Sequence, residues 1–406
     1  MSKLIVLPGN YNSSFFKNEI KYIKKYFDDT IIINYNTDKK QLSSFAKKRG
    51  VKYYMVDNNI IKYLFKFDFL KWLWSEEVKE EIKENINLDI NSIYKLFYIL
   101  FYGIFYIKAK KIIDSEIKRN KSEDIYIYSF WLSRPAYVAA NYSDVHNIKK
   151  IFSRAHGYDL YTDRNPYNYL PFRKFIDSNL DEIHFISKDG LNYFKKTFSN
   201  ENSKKMISRL GTYNTNNLTK VIKEKEYICI ASCSHFKKIK RLDLIIDVIA
   251  NINHKVKWVH VGNGKSMEEI KDYASQKLDK SQFEFLGRID NSKILKTYNK
   301  YDVDYFINMS DSEGIPVSIM EAISMGIPVI ARDVGGVSEI VNNNYGLLIK
   351  DLYNMDNVYE SIKKFTNERL NNIEKYKKKS NLSKLVWNDK YNADKNYKKF
   401  YEKLIE

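Results

Sequence analysis

Cysteine is nearly missing from this chain: Cys229 and Cys233 are the only two in 406 residues, and both stand in one short apolar segment. Two buried thiols are expected there. No second Cys/His pair stands at metal-ligand spacing, and nothing points to an oxidising compartment. No apolar run reaches the roughly 18–20 residues that a spanning helix needs. The segment from Met1 to Gly9 reads as a short strand and a turn, without the basic region, long apolar stretch and small-residue cleavage site of a signal peptide. A cytoplasmic protein, at most peripheral to a membrane, is expected. Low-complexity tracts and internal repeats beyond two similar halves are also missing. So is an aromatic-basic module of the kind that reads RNA, and nucleic acid is not an expected partner.

The chain does have apolar material for folded cores, since 44% of its residues are hydrophobic. Its length suits two domains of ordinary size better than one core. It also has a basic excess, 68 Lys and Arg against 50 Asp and Glu, formally +18. Such an excess favours anionic partners, whether phosphorylated ligands, an anionic membrane surface or nucleic acid, and does not choose among them.

Short apolar runs alternate with helical patterns from end to end. Candidate strands cover residues 4–7, 30–33, 53–56, 125–128, 150–153 and 182–186, then 227–231, 257–261, 283–286, 303–307, 328–331 and 347–349. Runs of this length between helices predict parallel α/β sheets, and two series predict two doubly wound domains. The polar stretch 212–226 has little to bury and marks the boundary. We expect domains over 1–212 and 213–382, followed by a Lys- and Tyr-rich helix over 383–406. Residues 60–120 stand apart as helical, aromatic and lysine-rich. Within them 96–107 is apolar all round and is followed by Lys108, Lys110 and Lys111. This piece is too short to span a bilayer; it is either a core helix or one that lies in the membrane interface.

The chemistry concentrates in residues 310–331. After the strand 303–307, Gly314 supplies a turn and Pro316 suits the first helical position. Val317 to Met325 read as a helix that Gly326 ends. The free N–H groups and positive dipole end near Val317 and Ser318 suit a phosphate. Glu313 lies before this helix and Glu321 inside it. Two carboxylates beside a phosphate are repulsive unless they accept hydrogen bonds from hydroxyls, and a nucleotide sugar has hydroxyls on both sides of its pyrophosphate. A second stretch leaves the strand 227–231 and places His235, Lys240 and Arg241 at a strand's C-terminal end, where open α/β sheets bind ligands. Gly262-Asn263-Gly264 reads as a tight turn near the donor base or phosphates, since no third glycine completes a dinucleotide fingerprint. Asp302-Val303-Asp304 has the form used by metal-dependent transferases, but at the start of a buried strand it reads as structural.

These motifs resemble glycosyltransferase family four. The Glu313–Glu321 pair is similar to its signature and the run 234–241 to its basic loop. Trp258 to Gly264, Phe285 to Arg288 and Asp333 to Val341 match further along the donor half. Ser153-Arg154-Ala155-His156-Gly157 resembles the loop with the family's active-site histidine. The resemblance implies a GT-B fold, two Rossmann-like domains facing a cleft with the C-terminal helix crossing back to the first. It implies a retaining, nucleotide-sugar-dependent, metal-independent hexosyltransferase of bacterial surface-polysaccharide type, acting at the inner face of the cell membrane on a glycan or lipid-linked acceptor. It assigns Glu313 to the donor sugar, Glu321 to the ribose, Lys240 to the pyrophosphate and His156 to the reacting sugar. Gly314, Ile315, Pro316 and Val317 form the phosphate turn, with His235, Arg241, Gly262 and Gly264 also on the donor. His235 departs from the family's usual arginine, which leaves Lys240, with Arg241, as the counter-charge. The rival readings are a nucleotide-sugar epimerase of the same architecture and a non-enzymatic binder of anionic membranes or nucleic acid.

Overall fold

The computed structural model describes residues 2–9, 13–35, 39–56, 61–64, 66–87, 89–119, 124–198, 202–214 and 217–406. Met1, the helical segment's end residues Ile60 and Asn120, and part of the 212–226 stretch lie outside them. The chain divides into two units: 1–208 with 397–406, and 209–396.

The first unit holds a seven-stranded sheet of β1 (Ser2–Leu7), β2 (Asp29–Tyr35), β3 (Lys52–Val56), β4 (Asp124–Ser129), β5 (Ile148–Ala155), β6 (Glu182–Phe185) and β7 (Lys204–Ile207) in the order 3-2-1-4-5-6-7. Every pairing is parallel; Ile5, for instance, sits level with Ile31 on one side and Ile127 on the other. β1, β2 and β4 read as continuous apolar runs because helices cover both faces of such a sheet, and Ile5, Ile31 and Ile127 are fully buried. The strand β7 was not expected. It is an edge strand opening on Lys204 and Lys205, and it carries no apolar run.

The second unit holds a six-stranded parallel sheet of β8 (Ile228–Cys233), β9 (Val256–Val261), β10 (Phe283–Phe285), β11 (Tyr305–Asn308), β12 (Val329–Arg332) and β13 (Leu347–Ile349), in the order 10-9-8-11-12-13. In both sheets the strand order reverses once, beside β1 and β4 in the first and beside β8 and β11 in the second. Ligands bind at such switch points, outside the strands' C-terminal ends.

Several expectations are corrected. The stretch 212–226 does bury residues: Lys220 and Lys225 turn onto Asp302 at 2.8 and 3.1 Å. Asp304 is fully buried and bonded to Lys220, Arg369 Nε and the Cys229 N–H at 2.9 Å each. Asp302 and Asp304 thus anchor this segment. The C-terminal stretch is two helices, Ile373–Val386 and Ala393–Ile405, and only 397–406 group with the first unit. There Tyr401 donates to Glu19 at 2.7 Å, and Glu19 pairs with buried Arg154 at 3.1 Å.

The aromatic segment also differs from its reading. Of the helices among its described residues, Ile90–Arg119 is long and apolar enough to cross a membrane by length and composition. The expected apolar run 96–107 stops before Lys108, and the helix extends beyond it on both sides. Its two parts differ. Ile99, Tyr102, Ile104, Phe105, Ile107 and Ala109 pack into the core, whereas Ile90, Ile93, Tyr94, Leu96, Phe97 and Phe101 remain exposed.

Candidate functional site

The second unit's switch point brings the two chemical stretches together. β8 leads through Cys233 into the basic loop and a 3-10 turn, Lys238–Lys240. β11 leads through Asn308 into the loop that carries Glu313. Because these strands are neighbours, Lys240 Nζ donates to Glu313 Oε1 at 2.7 Å across 73 residues of chain, and Asn308 Nδ2 donates to the same oxygen at 3.2 Å. Both Lys240 and Glu313 are mostly buried, so their attraction is less screened than that of an exposed pair.

The loop is held from all sides. Asp311 N–H donates to Ile239 O at 2.8 Å. The Asp311 side chain pairs with Arg332 and, at 3.3 Å, with Arg241. Gly336 N–H donates to Gly314 O at 3.1 Å. Gly335 has a left-handed φ of 54°. A Cβ there would stand 2.0 Å from the Glu313 carbonyl oxygen, so only glycine fits. Sequence reasoning treated Gly335 and Gly336 as matching residues without a task, and missed Asn308, Asp311 and Arg332. Their part depends on contacts between strands, which no local pattern shows.

Next to Glu313 begins the helix Val317–Ser324. Pro316 is its N-cap and no side chain caps it, so its first N–H groups and positive dipole end are available to an anion. Ile315 is buried and fixes the turn, whereas Gly314 has open space where a Cβ would be.

The Gly262-Asn263-Gly264 turn supports the basic loop from beneath. A Cβ at Gly262 would lie 1.8 Å from Ser234 O, and one at Gly264 would lie 2.6 Å from Phe236 O. Phe236 N–H donates to Asn263 O at 3.1 Å, and exposed His235 places Nδ1 3.3 Å from the same oxygen. Arg241 is committed to Asp243 at 2.9 Å and to Asp311 at 3.3 Å. Lys240 is therefore the cation at Glu313.

Glu321 keeps a partly exposed edge, yet burial pushes its carboxyl up to about 8. Its carboxyl has no hydrogen-bond partner among the described residues, and its charge adds to the burial that raises the Cys233 thiol and the Tyr298 hydroxyl. A buried carboxylate without a donor is poorly solvated, and two ligand hydroxyls would satisfy it. The sign of the pH effect follows. Between about pH 4.5 and 8 the unfolded chain releases this proton and the folded chain keeps it, so stability falls as pH rises through that window. Glu321→Gln should melt higher than wild type, by several degrees at pH 8 and by little at pH 4. Ligand-free melting curves across that range check this; a constant gap would show that the carboxyl titrates normally.

His156 stands in the first unit, at the end of β5. It is buried, its ring lies 4.2 Å from that of Trp131, and Asp159 accepts its backbone N–H at 2.8 Å. Asp159 Oδ2 is 3.5 Å from Nδ1, and neither ring nitrogen has a hydrogen-bond partner among the described residues. No three His, Cys, Asp or Glu side chains group as metal ligands among the described residues.

The profile of the family described as glycosyl transferases group 1 matches residues 214–382. The O-antigen biosynthesis glycosyltransferase WbnH of Escherichia coli is 30% identical over 136 residues, 32% of this chain and 37% of that protein. The UDP-Gal:alpha-D-GlcNAc-diphosphoundecaprenol alpha-1,3-galactosyltransferase of Escherichia coli is 30% identical over 118 residues, 29% of each chain. The chain thus spans about a third of the length of these curated relatives. The crystal structure of Anabaena HepE in complex with UDP superposes with a TM-score of 0.70 at 13% identity, over 100% of this chain and 99% of that one, a likeness of fold. The uncapped helix, the Lys240–Glu313 pair and the glycine-braced loop all lie within the matched residues; over 214–382 this chain is similar to the group 1 glycosyl transferases, and its two doubly wound sheets form a GT-B fold.

Proposed function

We propose that the chain is a retaining, metal-independent glycosyltransferase. It moves a sugar from a nucleotide-diphosphate donor to a lipid-linked glycan acceptor in the assembly of a bacterial surface polysaccharide or lipopolysaccharide. The observation that carries this reading is the Lys240–Glu313 pair beside the uncapped start of Val317–Ser324. A diphosphate at that helix end gains N–H donors and the Lys240 ammonium, and Glu313 is left to accept from sugar hydroxyls. Glu321 suits the ribose hydroxyls, and His156 serves the reacting sugar. A thermal-shift screen of nucleotide sugars, followed by turnover on lipid-linked acceptors, tests the reading. One nucleotide sugar should stabilise the protein and support transfer, and a strong chelator should leave the rate unchanged. Conversion of the donor without any acceptor would make the protein an epimerase instead. Loss of activity that added magnesium restores would remove metal independence.

The reading includes docking on an anionic membrane at the inner face of the cell. Phe97 is 55% exposed and Trp74 is 75% exposed, with Phe67, Leu70, Ile90 and Ile93 also open, and water does not favour so many exposed bulky apolar residues on one segment. The net charge of +18 complements anionic lipid, and each Lys near such a surface adds about 1 kcal/mol. Lys108 is buried and Lys110 pairs with Asp114 at 2.9 Å, whereas Lys111 is exposed and has no carboxylate partner among the described residues. The exposed apolar face supplies the better test. In vesicle sedimentation at low salt, wild type should pellet with anionic vesicles and stay soluble with neutral ones. Ile93→Asp with Phe97→Asp should weaken pelleting about tenfold. Wild type remaining in the supernatant would remove membrane docking.

A further inference from the structure

A line of buried polar groups runs beneath the basic loop of the second unit. β8 and β9 pair with Ser232 level with His260, and Trp258 lies two residues before His260 on the same face of β9. All three side chains are buried, Trp258 and His260 completely. Trp258 Nε1 lies 2.9 Å from Ser232 Oγ, and Ser232 Oγ lies 2.7 Å from His260 Nδ1. His260 Nε2 in turn lies 3.1 Å from the backbone oxygen of Ser234, the residue at which the basic loop begins.

The direction of this relay is fixed at both ends. An indole N–H only donates and a carbonyl oxygen only accepts. Burial lowers the pKa of His260 to about 4, so its ring is uncharged at neutral pH and carries a single N–H. That hydrogen sits on Nε2, where it faces the Ser234 carbonyl. Nδ1 is then bare and accepts from the Ser232 hydroxyl, whose oxygen accepts from Trp258. Every donor has an acceptor, and one tautomer of His260 is selected. Gly262 clears the way, since a Cβ there would lie 1.8 Å from Ser234 O and 3.0 Å from His260 Nε2.

The Ser234 carbonyl is one side of a trans peptide plane. Tying its oxygen to His260 turns the N–H of the next residue, His235, the opposite way. His235 is exposed, and this N–H has no acceptor among the described residues. The same loop carries Lys240, whose ammonium meets Glu313. We infer that His260 is a positioning residue for the leaving diphosphate: the relay from Trp258 through Ser232 holds the 234–235 peptide so that the His235 backbone N–H is a fixed phosphate donor on the loop of Lys240. The inference rests on the transferase reading and adds to it a donor that no side chain supplies. An N–H held in place before the reaction needs no reorganisation as charge develops on the leaving group.

The test uses the full chain. Binding of UDP, GDP, ADP and CDP is measured by calorimetry, and the tightest of them is carried forward with its nucleoside. His260→Gln places an amide N–H near the position of Nε2, whereas the shorter His260→Asn reaches only the position of Nδ1. The Gln variant should keep diphosphate affinity within about threefold, and the Asn variant should lose about tenfold, the worth of a hydrogen bond to a charged group. Nucleoside affinity should stay within about twofold in both. Ser232→Ala leaves the ring in place and frees its tautomer; it should weaken the diphosphate about threefold and spare the nucleoside, and it carries the comparison should the Asn variant not fold. Imidazole nitrogen-15 shifts of the wild type at neutral pH should show His260 protonated at Nε2 and bare at Nδ1. The opposite tautomer would overturn the inference. So would a variant that loses diphosphate and nucleoside equally, since His260 would then only hold the fold, and so would full diphosphate affinity in the Asn variant. Failure of the wild type to bind any of these diphosphates would instead overturn the transferase reading, and this inference with it.

Discussion

Glu313→Gln should cut transfer by on the order of a thousandfold while the protein stays folded. The substitution keeps the size of the side chain and removes its charge. In the free protein the Glu313 carboxylate receives Lys240 at 2.7 Å and Asn308 at 3.2 Å, so it is held in one orientation before a ligand arrives. A glutamine oxygen still accepts these bonds, but it no longer offers a full negative charge to a sugar whose ring gains positive character as the leaving group departs. The loss should therefore fall on kcat, with the donor's Kd changed by less than about fivefold. Melting temperature should move by only a degree or two, because the loop is braced independently by Asp311, Gly335 and Gly336. Steady-state kinetics with the donor found by screening, together with a melting curve, checks both halves. Near-normal turnover would remove Glu313 from the reaction.

Lys240→Ala should lower kcat by about a hundredfold and donor affinity by less. A diphosphate gains charge on its terminal oxygen as the sugar leaves, and an ammonium already in place is worth more to that state than to the intact donor. Arg241 is no ready substitute, since Asp243 and Asp311 both hold it. Lys240→Arg should recover part of the rate, limited by the broader guanidinium. The double variant with Glu313→Gln should lose less than the product of the two single losses, because the side chains touch and each positions the other. Strict multiplicativity would mean that the ion pair of the free protein has no part in catalysis, and an undiminished rate in Lys240→Ala would place the diphosphate elsewhere.

Much of this was readable from the chain alone, for a physical reason. A strand buried on both faces must be apolar nearly throughout, so β1, β2, β8 and β11 announce themselves, and alternation with helices makes their sheets parallel. The turn at Gly314 and Pro316, the helix after it and its free N–H groups are local features, set by residues within a few positions of one another. Glu313, Glu321 and Lys240 could be singled out on that basis. Features that depend on which strands are neighbours could not be read so. β7 pairs as an edge strand on two lysines and two apolar residues. The linker lysines find Asp302 and buried Asp304, and Lys108 turns inward while Phe97 stays in water. Only the order of the sheet puts β8 beside β11, which brings Lys240 onto Glu313 and ties Arg241 to Asp311, and only packing leaves Glu321 without a donor so that burial raises its carboxyl to about 8. Sequence periodicity carries local backbone preference and the side on which a residue is apolar. Charge pairing and desolvation are set by atoms that arrive from distant parts of the chain, and these decide what the site's residues can do.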